Sequence, residues 1–94
     1  MEIAKSDIVR SDAGRDQGKL FIVLAVEGEY LLLADGKSRK VESPKRKKRR
    51  HVQAAFQTES RIAEKIRNGE KVLNSELRKE LASLGQKQSQ NQGG

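Results

Sequence analysis

The chain has 94 residues, of which 20 are Lys or Arg and 13 are Asp or Glu, with one histidine and no cysteine. That length holds one small domain with little room for an enzyme cleft, and the lack of thiols excludes disulfide staples and thiolate metal sites and agrees with a cytoplasmic location. The formal net charge of +7 is concentrated in one place: nine cations and one anion lie between Lys37 and Arg50, while the remaining charges nearly cancel.

Met1 to Ser11 mixes acidic and basic residues without an apolar run, so it does not read as a secretory signal. No stretch approaches the roughly 18 apolar residues that a membrane span requires. A first strand is expected near Asp7 to Arg10. A loop with Gly14, Arg15, Asp16 and Gly18 leads into Leu20 to Val26, a short unbroken apolar run that reads as a buried strand. Glu27-Gly28 turns the chain into a second run, Tyr30 to Ala34, which closes on Asp35-Gly36, a strong hairpin signal. Further short strands are expected near Arg39 to Glu42 and His51 to Ala54. Five short strands in this space predict a mainly β fold, a small five-stranded barrel over residues 1–57 that carries a basic loop at 37–50.

Both faces of the Leu20 to Ala34 hairpin are apolar, so its outer face needs a cover. The segment 58–84 supplies a candidate as two short amphipathic helices. Thr58 is the expected cap of the first, Ile62 and Ile66 share its face, and Asn68-Gly69 ends it. The second is expected to start at Asn74 or Ser75, to place Leu73, Leu77, Leu81 and Leu84 on one stripe, and to stop at Gly85. Residues 85–94, rich in Gln and Gly, predict a disordered tail.

The ordered series Ser11, Gly14-Arg15-Asp16, Gly18-Lys19, the apolar strand, Asp35-Gly36, Arg39-Lys40 and the basic run up to His51-Val52 resembles the KOW-motif RNA-binding family. The pattern is similar to single-KOW large-subunit ribosomal proteins of archaea and eukaryotes and to their small bacterial relatives. The resemblance implies an SH3-like barrel that binds RNA, often ribosomal RNA, through the motif glycine loop and basic extensions. It covers about Asp7 to Thr58 and leaves the C-terminal segment without a counterpart.

The residues themselves point the same way. Gly18, just before a buried strand, suits a positive φ and a close approach, with Arg15 and Lys19 beside it and Arg10 at the end of the preceding strand. Lys37, Arg39 and Lys40 lead to the tract Lys45, Arg46, Lys47, Lys48, Arg49, Arg50, followed by His51. Six adjacent cations repel one another unless a polyanion neutralises them. About five phosphate contacts would give a salt slope of roughly −3.5 to −4.5. Phe21, Tyr30 and Phe56 are the only aromatic residues, too few for a single-strand stacking platform, so a folded RNA read by shape and phosphate is expected.

Gly14 to Lys19 is not a nucleotide-binding loop: the spacing is one residue short, Leu20 stands where Ser or Thr would hold magnesium, and a strand follows. One histidine, with Asp12 and Asp16 sharing a loop, makes neither a catalytic constellation nor a metal site. The expectation is therefore no enzyme, no cofactor, no metal, no membrane and no small-molecule substrate, with RNA and ribosomal proteins as partners. A competing reading is a protein-interaction module of a transcription or translation complex, in which the barrel and the stripe of Leu77, Leu81 and Leu84 bind the partner and the basic tract only steers it. Architectural DNA binding is a third.

Overall fold

The hairpin anticipated from the apolar runs forms as strands β2 (Leu20–Glu27) and β3 (Tyr30–Ala34). Gly28, at φ +63°, takes the first position of its two-residue turn, where a glycine suits the twist of the flanking strands. The structure, a computed structural model, describes residues 3–12 and 14–93, with side chains as far as Leu84. Around this hairpin lie β1 (Ile8–Ser11), β4 (Lys45–Lys48) and β5 (Val52–Phe56), with 3-10 turns at Gly14–Asp16 and Arg49–His51. The helices are α1 (Arg61–Arg67) and α2 (Asn74–Gly93). The five strands form one antiparallel sheet in the order β4-β3-β2-β1-β5. No ladder between β4 and β5 closes it among the described residues.

Alternation along the strands divides the apolar residues between two cores. Val9, Phe21, Val23, Leu31, Leu33 and Val52 gather on one face. Ile8, Ile22 and Ala34 point the other way and meet Ile66, Val72 and Leu77 from the helical segment. Leu24 is the extra residue of a bulge between Val23 and Ala25, and a bulge of this kind bends and twists its strand. The two-sided apolarity of the hairpin is thus satisfied by the curl of the sheet on one side and by the helices on the other.

The helical pair packs on the sheet as its pattern demands. Ser60, rather than Thr58, caps α1: its hydroxyl accepts from the Ala63 N–H at 3.2 Å. The Thr58 hydroxyl instead donates to Glu80 of α2 at 2.9 Å. Asn68 and Gly69, at φ +75°, end α1. In α2, Glu76 reaches back to accept from the Leu73 N–H at 2.9 Å, half of a capping box. Leu77 is fully buried and Leu81 and Leu84 pack beside it, whereas Leu73 stays exposed outside the stripe.

Three further expectations need correction. Arg39 to Glu42 is not a strand, because the Asp35 carboxylate folds the chain into a turn, accepting from the Lys37 and Arg39 N–H groups at 2.8 Å each. The Val41 N–H then goes to the side chain of Asn74 at 2.9 Å instead of to a ladder. Second, the basic loop drawn at 37–50 is a loop only in part, since Lys45–Lys48 pairs with β3 as a fourth strand. Third, α2 does not stop at Gly85: its backbone remains helical to Gly93 where a disordered tail was expected, and Gly94 lies outside the described residues. Gln and Lys are good helix formers, and extending an existing helix avoids the cost of nucleation.

The helices are locked to the β3–β4 loop at one point. Gly36, at φ +78°, lies so close to the Asn74 carbonyl that a Cβ there would overlap it. Arg78 donates to the Gly36 carbonyl at 2.6 Å. Gly36→Ala is expected to cost more than the roughly 1–2 kcal/mol of a left-handed alanine alone, because it also lifts α2 off the loop. Gly28→Ala, with open space around its position, should cost only that conformational term. Urea unfolding of the two variants checks the difference.

Candidate nucleic-acid interface

The register of β4 on β3 sorts the basic tract by parity. Lys45 pairs with Leu33 and Lys47 with Leu31, so both side chains share the face of the Leu31 and Leu33 core. Arg46 and Lys48 fall on the opposite face, beside Tyr30. The Arg46 guanidinium stacks 3.8 Å from the ring centroid and the Lys48 ammonium lies 5.9 Å from it, a cation–π arrangement that fixes both while leaving Arg46 well exposed. Arg46 also approaches Glu27 at 3.8 Å.

The inward pair is anchored. Lys45 forms an ion pair with the buried Asp16. Lys47, only 9% exposed, donates to the Ser11 hydroxyl at 2.6 Å. Ser11 belongs to β1 and Asp16 to the 3-10 turn after it, although two strands separate β1 from β4 in the sheet order. These contacts therefore report a strongly rolled sheet, and they bring the β1–β2 loop against the basic strand.

That loop is a closed turn. The Gly18 N–H donates to the Ser11 carbonyl at 2.9 Å and the Ser11 N–H to the Lys19 carbonyl at 2.9 Å. Gly18 sits at φ +87° with open space about its Cα, so backbone geometry explains the glycine. Arg15 is exposed, and Lys19 is mostly exposed with its ammonium 3.8 Å from Asp16.

Comparison with known proteins gave no match to any family and none to a curated relative.

The other candidate residues divide by position. Lys37, Arg39 and Lys40 are exposed on the loop shaped by Asp35. Arg10 is half-buried on β1, paired with Leu20 and Gln53. Arg49 donates to the Ile3 carbonyl at 3.1 Å, which ties it to the N-terminal segment, whereas Arg50 is exposed. His51 is half-buried, and its carbonyl accepts from the Asp12 N–H at 2.8 Å. The structure thus brings Arg15, Lys19 and β4 together and takes Lys45, Lys47 and Arg49 into internal bonds. Sequence reasoning missed Arg78, which reaches the β3–β4 loop from α2, and Tyr30, which organises Arg46 and Lys48. A period-2 pairing of the tract with Tyr30 to Leu33 was the signal for the latter.

Electrostatics follow from this packing. The Asp16 carboxyl is held below its ordinary value of 3.8, first by its hydrogen bond to Lys45 and then by the charges of Lys45, Lys19 and Arg39, against the opposing effect of burial. Burial, followed by the nearby Lys45 charge, lowers Lys47 from its ordinary 10.5. Asp35 is also lowered: burial pushes it up, but the hydrogen bonds from Arg39, Lys37 and Ser38 outweigh that. Because Asp16 is more acidic folded than unfolded, it contributes stability above 3.8 that disappears as pH falls through its depressed value. Lys47 has the sign opposite to a salt-bridged lysine: the unfolded chain binds the proton more tightly, so its contribution improves as pH rises toward 10.5.

Asp16→Asn is expected to lose about 1–3 kcal/mol near pH 6. The gap from the wild type should close as pH is lowered below 3.8, read by denaturant unfolding across an acid series.

Proposed function

We propose that this chain is a cytoplasmic RNA-binding protein of the KOW type, an SH3-like barrel that engages structured RNA, namely ribosomal RNA or the ribosome itself. The observation that carries the reading is the outward row of β4. Arg46 and Lys48, with Arg50 in the 3-10 turn that follows, stand exposed or half-exposed, and the loop that Asp16 holds to Lys45 of the same strand presents Arg15 and Lys19. These five cations, on β4, on the turn after it and on the β1–β2 loop, offer contact points to a phosphate backbone. The rolled sheet, with Lys47 of β4 reaching Ser11 of β1, supports the barrel. In this reading no reaction is catalysed, and sequence-independent phosphate contact supplies most of the affinity.

The protein-interaction alternative loses the stripe it would use, because Leu77, Leu81 and Leu84 pack against the sheet.

The parity of β4 makes the proposal testable. Arg46→Gln, Lys48→Gln and Arg50→Gln combined should lower the magnitude of the salt slope by roughly 2 to 3, while each costs no more than about 1 kcal/mol of stability. Lys45→Gln and Lys47→Gln should do the reverse, loosening the fold with little direct effect on the slope. Filter binding to ribosomal RNA fragments between 50 and 200 mM salt, with unfolding curves alongside, separates the two sets. No binding at the low-salt end would overturn the reading, and equal affinity for duplex DNA in competition would favour an architectural DNA role.

A further inference from the structure

Two other clefts mark the surface where sheet and helices meet. One, of about 540 Å³, is walled by apolar residues that include Leu24, Val41 and Leu73, with Glu42 and Glu70 among its polar lining. Those carboxylates oppose a phosphate. The other, of about 530 Å³, opens between the start of β2, the β3–β4 loop and α2. Both volumes lie in the range of small-ligand sites, roughly 300–1,000 Å³.

The second cleft has apolar walls from Leu20, Leu81 and Ala82, and its cations come from three elements: Lys19, Lys37 and Arg78. Asp35 also lines it, but its carboxylate is engaged in its own turn, accepting from the Lys37 and Arg39 N–H groups and from the Ser38 hydroxyl at 2.7 Å. Arg78 commits one N–H to the Gly36 carbonyl, and a guanidinium has five to give. An apolar wall next to a cationic cluster is complementary to a flat ring joined to a phosphate.

We propose that this cleft takes one unpaired nucleotide of the bound RNA, with its base against Leu20, Leu81 and Ala82 and its phosphate among Lys19, Lys37 and Arg78. The inference rests on the RNA reading above and deepens it. Phosphate contact along β4 carries no sequence information, whereas a pocket for an unstacked base distinguishes bulged or looped RNA from a plain duplex. It also makes α2 part of the recognition surface, since the helix supplies Arg78, Leu81 and Ala82. Lys19 joins the two regions, lying both in the β1–β2 loop and at the cleft.

The test uses the full chain and two RNA hairpins that are identical except for one unpaired adenosine in the stem of the second, titrated by fluorescence anisotropy. The wild type is expected to bind the bulged hairpin about tenfold more tightly, the gain of one charge-assisted contact. Ala82→Glu, which places bulk and negative charge in the cleft at an exposed helix position, should remove that preference and leave binding to the plain hairpin in place. Ala82→Gln, which adds bulk without charge and suits a helix, makes the same test should the fold not tolerate the first change. Equal wild-type affinity for the two hairpins, or a preference that survives in the folded variants, overturns the nucleotide site alone. Failure of the wild type to bind either hairpin at 50 mM salt overturns both this site and the RNA reading.

Discussion

Six consecutive cations begin in a β-strand here because the inward pair finds partners within the protein: Lys45 pairs with the Asp16 carboxylate and Lys47 donates to the Ser11 hydroxyl. Both partners come from the opposite side of the sheet order. The same contacts therefore pair the Lys45 charge with a carboxylate, satisfy a donor of Lys47 and hold the roll of the sheet. Without them the strand would present like charges on both faces, and the edge of β3 would lose its covering. The desolvation that lowers Lys47, reinforced by the Lys45 charge, is countered only in part by the negative charges of Asp16 and Asp12.

The outer half of the tract follows from the same register. With Lys45 and Lys47 turned in, Arg46 and Lys48 must turn out, and Tyr30 gives them an apolar surface to lie on. A cationic edge strand also resists pairing with the sheet of another molecule, which suits a strand that has no partner on its far side among the described residues. Stability and charge display are thus two consequences of one alternation, carried by neighbouring residues.

The helical segment reaches this arrangement through the β3–β4 loop. Asn74 accepts from the Val41 N–H and donates to the Glu42 carboxylate, while Arg78 holds the Gly36 carbonyl. These bonds replace the strand that Arg39 to Glu42 would otherwise form. They also fix the loop bearing Lys37, Arg39 and Lys40 relative to the sheet. The helices are therefore a cover for the outer core and a brace for a charged loop at once.

The apolar hairpin was legible from the amino-acid sequence, because Leu20 to Val26 and Tyr30 to Ala34 are continuous apolar runs bounded by glycine turns. The helical face of α2 was legible too, since Leu77, Leu81 and Leu84 recur at helical spacing, and so was the concentration of charge between Lys37 and Arg50. Composition could not say that Lys45 and Lys47 within that run turn inward. A run of identical charges has no period of its own, so its division into an inner and an outer row came from pairing with β3 and from Asp16 and Ser11, residues about 30 positions distant in the chain. The cleft beside α2 had the same origin: Lys19, Lys37 and Arg78 are unrelated along the sequence, and only the docking of Asn74 and Arg78 on the Gly36 turn brings them together.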